Sequence, residues 1–139
     1  MPLVRIDLLE GKTAEFKTQL GELVYESMLE TIGIPEEDKF VVVNELKAEE
    51  LIFSTNYLSV DRTDGIVIIQ ITMNEGRTTE VKKALYKTVA DKLNSQLDIR
   101  KEDVFINLVE VNKENWSFGN GIASTQTKKH YYKYIKAIP

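Results

Sequence analysis

Hydrophobic positions along the chain follow a strand-like period and then a helix-like period, and this order occurs twice. Residues 2–8 are β-prone, and residues 66–73 form a nearly continuous apolar run, as in a strand that is covered on both faces. An apolar stripe with helical spacing follows each run. The stripes comprise Phe16, Leu20, Leu23, Val24 and Met28 in the first copy and Val81, Leu85, Val89, Leu93 and Leu97 in the second. Further strands are predicted at about residues 39–45 and 104–111.

An internal repeat organises these elements. A shift of 65 positions (76 minus 11) lays residues 2–45 over residues 67–110 without a gap. The identical positions include Ile6, Glu10, Gly11, Thr13, Glu15 and Lys17, which fall on Ile71, Glu75, Gly76, Thr78, Glu80 and Lys82. Charge and glycine clusters that agree in one register with the hydrophobic pattern indicate a real duplication.

Each copy predicts a strand, a helix and a second strand. Thr13 and Thr78 are natural N-caps, and Glu15 and Glu80 then lie in the first turn, where the helix dipole favours negative charge. Pro35 is expected to help end the first helix. A right-handed crossover would make the two strands of each copy parallel. The predicted fold is therefore α+β, a two-layer α/β arrangement of tandem β-α-β repeats, with a four-stranded mixed sheet and two helices on one face.

We expect a single domain over residues 1–139, made of pseudo-repeats at about 2–45 and 67–110. An irregular excursion at 46–64, with a short strand near 57–60, and a C-terminal loop and tail at 112–139 complete it. Tyr131, Tyr132 and Tyr134 alternate enough to predict a strand that pairs with a neighbouring subunit. Because both helices cover one face of the sheet, the apolar positions of the other face predict an oligomer.

Composition excludes several classes of protein. The chain contains no Cys, which excludes disulfides, thiolate metal sites and a cysteine nucleophile. His130 is its one histidine, expected at the surface, and this argues against a histidine zinc site or a serine-type triad. We expect neither a metal nor a cofactor. The net charge of -4 with mixed signs argues against nucleic-acid and membrane partners. Short apolar runs and the absence of a signal-peptide pattern predict a cytoplasmic protein.

Four short blocks carry a family resemblance. They are MPLVRIDL at residues 1–8, IPEEDKF at 34–40, GRT at 76–78 and WSFGNG at 116–121. Together with the duplication they resemble the tautomerase superfamily, and within it the malonate semialdehyde decarboxylase group of fused, double-length 4-oxalocrotonate tautomerase-like chains. The resemblance implies a tautomerase/MIF-like fold, a homotrimer and a small carboxylate substrate.

Pro2 is the centre of the site that the resemblance implies. Removal of Met1, which aminopeptidases perform before small residues such as Pro, would leave a secondary amine as the chain terminus. That amine is the implied general acid or base. The residues alone favour the other reading of Pro2, a proline tolerated at the start of a strand, where no ladder N–H is needed.

The resemblance assigns roles to two charged residues. Arg77, at the mouth of the second helix, is the implied catalytic and substrate-binding cation that holds a carboxylate by paired hydrogen bonds. Glu75 stands where some members carry a second Arg, so the site has a single Arg. Asp38 is implied to approach Pro2 and to orient water or keep the amine protonated. The alternative for Arg77 is a solvated arginine at the start of a helix. The alternative for Asp38 is a cap or loop residue, and this is the interpretation of Asp103.

Two aromatic residues complete the implied site. Trp116 and Phe118, in a loop that contains Gly119 and Gly121, would bind substrate by walling the pocket and keeping it dry. The alternative is a surface loop that packs onto the core.

Three functions remain open. If Asp38 keeps the amine charged, Pro2 polarises a carbonyl or forms an imine, which permits decarboxylation of a 3-oxo acid and hydration of an acetylenic acid. If the pocket lowers the pKa of the amine, Pro2 acts as the base of a keto-enol tautomerase of 2-oxo acids. The third possibility is a non-catalytic ligand-binding or interaction domain on the same scaffold. The match at Asp38, Trp116 and Phe118 favours the decarboxylase.

Overall fold

The computed structural model describes residues 2–125 of the chain. Its helices and strands are β1 (Leu3–Leu9), α1 (Ala14–Ile32), β2 (Val41–Leu46), β3 (Val67–Asn74), α2 (Thr79–Leu97) and β4 (Val104–Val111). Single turns of 3-10 helix occur at Ala48–Glu50, Tyr57–Ser59, Lys101–Asp103 and Lys113–Asn115. Helices α1 and α2 begin and end at positions that differ by 65 residues (79 minus 14 and 97 minus 32).

The four strands form one mixed sheet in the order β2-β1-β3-β4. Strand β1 is parallel to β2, and β3 is parallel to β4, so each helix connects two parallel strands. The two halves join through β1 and β3, which are antiparallel. The sheet and helix arrangement confirms the predicted fold class of tandem β-α-β repeats.

Both helices pack on the same face of the sheet. Strand positions that alternate in the sequence are buried against them, among them Ile6 and Ile71, both 0% exposed. The core also contains Leu20 of α1 and Leu85 of α2, which matches the predicted helical stripes. Gly21 of α1 lies against β2, where an added Cβ would approach Val41 Cγ1 to 3.3 Å. The absence of a side chain therefore lets α1 approach the sheet closely.

The helix ends follow from local sequence. The Thr13 side chain accepts a hydrogen bond from the Phe16 backbone N–H at 3.1 Å, and Thr78 accepts from Val81 at 3.2 Å, so both predicted N-caps are confirmed. Helix α1 ends at a left-handed residue, Gly33, whose φ is 64°, and Pro35 follows in the loop.

The opposite face of the sheet carries a mixture of apolar and polar side chains. Phe105 and Val109 of β4 are 45% and 37% exposed. Between them, Asn107 accepts a hydrogen bond from Gln70 Nε2 at 3.1 Å. Neither helix of the described part of the chain covers this face.

The excursion between β2 and β3 differs from its prediction. Residues 57–60 do not form the expected strand; Tyr57–Ser59 form a 3-10 turn in which Leu58 and Ser59 have φ of 58° and 59°. These left-handed angles are incompatible with an extended strand. Arg62 Nη1 instead donates to the Tyr57 and Val60 carbonyls at 3.1 and 3.2 Å.

Two other expectations concern different parts of the chain. The strand expected at Tyr131, Tyr132 and Tyr134, and the surface position expected for His130, lie outside the described residues. Within residues 2–125, the helices are too polar or too short to cross a membrane.

Candidate active site

Three of the candidate site residues lie at the same edge of the sheet. Strands β1 and β2 are parallel and both begin at this edge, and β3 is antiparallel to β1 and therefore ends there. Pro2 directly precedes β1, Asp38 lies shortly before β2, and Arg77 follows β3. The Val4 backbone N–H donates to the Phe40 carbonyl at 2.9 Å, which ties the start of β1 to the segment that carries Asp38.

Pro2 and Asp38 are both buried, and Asp38 is only 5% exposed. A turn holds Asp38 in place, since its backbone N–H donates to the Pro35 carbonyl at 3.0 Å. Burial raises the pKa of the Asp38 carboxyl above its ordinary value of 3.8, while the positive charges of the amino terminus and of Arg77 act in the opposite direction. Asp38 and Arg77 are therefore close enough to interact electrostatically.

Backbone carbonyls from two elements hold the Arg77 guanidinium. Its Nε and Nη2 donate to the carbonyl of Ile32 at 3.4 and 3.3 Å, and its Nη1 donates to that of Asn74 at 3.1 Å. Ile32 is the last residue of α1, where the helix dipole favours a cation. A guanidinium has five N–H donors, so these three bonds leave two for a further acceptor such as a carboxylate.

The two aromatic residues lie against each other. The rings of Trp116 and Phe118 are stacked, with centroids 5.5 Å apart and planes inclined by 13°. Trp116 Nε1 also donates to the side-chain oxygen of Asn74 at 2.8 Å. The structure thus connects Trp116 to Arg77 through Asn74, and it connects Phe118 to this group through the ring stack.

Sequence reasoning missed Asn74. It is the last residue of β3, at the position that the 65-residue shift matches to Leu9 (74 minus 65), the last residue of β1. The sequence did offer one indication of Asn74, since it is polar where the matched residue Leu9 is apolar.

A tight turn presents the aromatic pair. Gly119, Asn120 and Gly121 all have positive φ, of 138°, 58° and 67°, a conformation that favours glycine and tolerates Asn. The turn closes by an antiparallel bridge between Ser117 and Ala123. The positive φ values therefore explain why Gly119 and Gly121 stand in this loop.

An open cavity of about 520 Å³ adjoins the site. Its lining includes Asn74, Glu75, Gly76 and Lys113, but not Pro2, Asp38 or Arg77. Glu75, the residue that stands where some members carry a second Arg, thus borders a cavity next to Asn74. A carboxylate at this point would repel a second substrate carboxylate.

Comparison with known proteins identifies the family. Two family models described as tautomerase enzymes match residues 2–60 and 38–119. The probable tautomerase YusQ of Bacillus subtilis strain 168 is 43% identical over 123 residues, which cover 88% of this chain and 97% of YusQ. A second probable tautomerase of that strain, YrdN, is 30% identical over 129 residues, which cover 93% and 99%. The chain therefore belongs to the tautomerase superfamily of enzymes.

Solved structures refine the placement within the superfamily. A malonate semialdehyde decarboxylase, described as having decarboxylase and hydratase activities, superimposes with a TM-score of 0.85 at 27% identity, covering 91% of this chain and 98% of that chain. FG41 malonate semialdehyde decarboxylase inhibited by 3-bromopropiolate gives 0.84 at 28% identity, with coverage of 91% and 96%. A fused 4-OT that forms a symmetric trimer shares the fold, with a TM-score of 0.74 at 21% identity and coverage of 90% and 98%. The predicted resemblance to double-length members and the predicted isomerase or lyase type of enzyme are confirmed.

Proposed function

We propose that this chain is a malonate semialdehyde decarboxylase-like enzyme that uses the Pro2 amine as general acid on a small oxo-carboxylate, with hydratase activity on acetylenic acids. The observation that carries the proposal is the buried Asp38 carboxyl, which interacts with the charge of Arg77 and lies at the edge of the sheet that also carries Pro2. In this proposal the enzyme acts in the cytoplasm without a metal or cofactor.

The charge arrangement supports an amine that keeps its proton. A carboxylate beside an amine favours the charged form of the amine, whereas burial and a neighbouring cation favour the neutral form. Asp38 therefore opposes the effect of Arg77 on the Pro2 amine once Met1 is removed. A charged Pro2 suits polarisation of a carbonyl, while a neutral Pro2 suits proton abstraction.

The proposed chemistry assigns one role to each group. Arg77 binds the carboxylate of the 3-oxo acid through its two remaining N–H donors and orients the bond to be broken. The protonated Pro2 amine donates a hydrogen bond to the C3 carbonyl oxygen. The bond from C2 to the carboxylate carbon breaks, its electron pair forms the C2–C3 double bond, and carbon dioxide leaves while the amine proton passes to the C3 oxygen to give the enol. C2 then takes a proton from solvent, and the enol proton returns to the Pro2 amine, which gives acetaldehyde.

Trp116 and Phe118 complete the proposed site by excluding water. Their stacked rings form an apolar surface, and electrostatic interactions strengthen where water is absent. Asp38 holds the amine proton between turnovers.

The alternative is keto-enol tautomerisation of 2-oxo acids with a neutral Pro2 as base. The names of YusQ and YrdN as probable tautomerases favour it. The same residues would serve, with Arg77 stabilising the developing enolate. The pKa of the Pro2 amine distinguishes the two reactions.

The test begins with a preparation whose intact mass shows that Met1 is absent. We expect it to release acetaldehyde from malonate semialdehyde faster than it converts an enolised 2-oxo acid. Pro2→Ala should lower kcat/KM by roughly 100- to 10,000-fold, the range for loss of a general acid or base. A matched control carries an uncleavable N-terminal extension, which acylates Pro2 without changing the fold, and should be equally inactive.

Three results would redirect the proposal. Faster turnover of the 2-oxo acid, with an amine pKa of about 6 to 7 as a working base requires, would support the tautomerase. An extended chain as active as the processed one would exclude a catalytic amine. Inactivity toward both substrates by the processed chain would support a non-catalytic domain.

We also propose that the enzyme is a homotrimer. The sheet face opposite the helices exposes Phe105 and Val109, and a second subunit would bury them. Native mass spectrometry should give three times the chain mass, and Phe105→Lys should shift the population toward monomer. A wild-type monomer would contradict this part of the proposal.

A further inference from the structure

Asn74 makes contact with two groups of the candidate site at once. Its backbone carbonyl accepts from Arg77 Nη1 at 3.1 Å, and its side-chain oxygen accepts from Trp116 Nε1 at 2.8 Å. The residue is half-buried at the end of β3, where pairing with Val111 of β4 fixes its backbone. A rigid strand end therefore lies between the guanidinium and the indole ring.

A hydrogen bond to Asn74 connects the segment that carries Trp116 to the four-stranded sheet. The Ser124 backbone N–H donates to the Trp116 carbonyl at 2.8 Å, and the Ile122 N–H donates to the Gly119 carbonyl at 3.3 Å. These two bonds stay within the segment. The Asn74 bond therefore fixes the indole against the end of β3.

The other repeat shows that the scaffold does not require this polar side chain. Leu9 occupies the matched position at the end of β1 and offers no side-chain acceptor. Both strands nevertheless end at equivalent places, and both helices begin with the same threonine cap. The amide of Asn74 is therefore specific to the end of the sheet that holds the candidate site.

We propose that Asn74 is a positioning residue that fixes the Trp116 ring relative to the Arg77 guanidinium. Its effect on catalysis rests on the proposed function, whereas its effect on the indole does not. In the proposed site Trp116 and Arg77 both contact bound substrate. Loss of the hydrogen bond between Asn74 and Trp116 therefore raises KM more than it lowers kcat.

The first test needs no substrate. Trp116 is the only Trp in the chain, so the fluorescence of the protein reports on this indole alone. Asn74→Leu, which copies the residue of the first repeat, should shift the emission to longer wavelength and increase quenching by acrylamide. Asn74→Asp keeps an acceptor oxygen and should retain the wild-type emission.

A matched control removes a different asparagine bond. Asn94 Nδ2 donates to the Ile99 carbonyl at 3.0 Å, away from the candidate site. Asn94→Leu should leave emission and quenching unchanged. Emission from Asn74→Leu that equals that of the wild type would overturn the proposal, whatever the activity of the variant.

The second test is kinetic and uses the processed wild-type chain as reference. We expect Asn74→Leu and Trp116→Phe each to raise KM about tenfold, the factor that one ordinary hydrogen bond is worth. The double variant should show no further rise, because each single change removes the same bond. Additive effects, or a fall in kcat at constant KM, would overturn the positioning role.

The two tests also separate this inference from the proposed function. If the wild-type chain converts neither substrate, the proposed function fails and the fluorescence of Asn74→Leu still decides whether the bond positions Trp116. If the wild-type chain is active and the fluorescence does not respond, the inference fails alone. Circular dichroism of each variant checks that the fold is intact.

Discussion

The two ends of the sheet bury equivalent aspartates in different ways. Asp38 and Asp103 are related by the 65-residue shift and are 5% and 2% exposed. Asp103 accepts hydrogen bonds from the Thr63 backbone N–H at 2.7 Å and from the Thr63 hydroxyl at 2.6 Å, and Arg100 Nη1 lies 3.7 Å from it. Asp38 interacts instead with the charges of the amino terminus and of Arg77. One aspartate anchors a loop, and the other is buried at the edge of the sheet that carries Pro2 and Arg77.

The matched cations at the two ends of the sheet, Arg77 and Lys12, also have different surroundings. Backbone carbonyls of Ile32 and Asn74 hold the Arg77 guanidinium at the edge of the sheet. The matched residue Lys12 places its Nζ over the Phe16 ring, 4.9 Å from the centroid. A cavity of about 170 Å³ at that end includes Lys12 and Asp103 in its lining. The duplication thus produced two similar edges that carry a guanidinium at position 77 and an ammonium at the matched position 12.

The sharpest test of this difference compares the two cations. Arg77→Ala should raise KM for the oxo acid about 100-fold, because paired hydrogen bonds to a carboxylate are lost. Lys12→Ala should change KM less than about twofold, since its ammonium packs on a ring. Steady-state kinetics on folded variants gives both values. Equal effects would show that the two ends are functionally alike.

The aspartates should differ in stability. Asp103→Ala should lower the free energy of unfolding by about 2 kcal/mol, because it removes two hydrogen bonds that the buried carboxylate accepts from Thr63. Asp38→Ala should lower it by less, since burial opposes the charge of that carboxyl. Urea unfolding at neutral pH measures both. A larger loss for Asp38→Ala would contradict the assignment of Asp103 as the structural member of the pair.

The pH dependence of stability tests Asp38 alone. Burial raises the pKa of the Asp38 carboxyl above 3.8 in the folded protein. The carboxyl therefore contributes fully to stability only below the pKa that it has in the unfolded chain. That contribution is lost as the pH rises through the folded pKa. Asp38→Asn should therefore gain stability relative to wild type between about pH 4 and neutrality. A stability difference that is constant over this range would contradict the raised pKa.

The smallest effect is expected where the repeats are alike. Lys17 pairs with Glu45 and Lys82 with Glu110, and hydrogen bonds from these lysines lower the pKa of each glutamate. Each pair stabilises the protein above the pKa that its glutamate has in the unfolded chain. This stabilisation is lost as the pH falls through the pKa of that glutamate in the folded protein. Glu45→Gln and Glu110→Gln should lower Tm slightly and equally at pH 7, and not at all in strong acid. Unequal shifts would mean that the pairs are not equivalent.

Local features of the fold were predictable because short stretches of sequence specify them. Thr13 and Thr78 cap their helices as predicted, and the apolar stripes of α1 and α2 face the core. Strand β4 has the predicted bounds of 104 and 111. The turn at Tyr57–Ser59 was not predictable, since its β-prone residues adopt positive φ only because the loop folds back through Arg62.

Some residues of the candidate site were also predictable from the sequence, and one was not. Pro2, Asp38, Arg77, Trp116 and Phe118 were singled out by resemblance, and their roles stay predictions. Asn74 was not singled out, because its bond joins residues that are 42 positions apart. No local pattern marks such a pair.

The sequence by itself determined the order of strands and helices, the repeat and the family, since these depend on periodicity, caps and short motifs. The tertiary structure decided which of two matched aspartates accepts hydrogen bonds from Thr63 and which is buried at the edge of the sheet that carries Pro2 and Arg77. It also decided that one asparagine connects a guanidinium to an indole. The physical reason is that hydrogen bonds and charge interactions act across space, and strand pairing brings distant residues to the same edge.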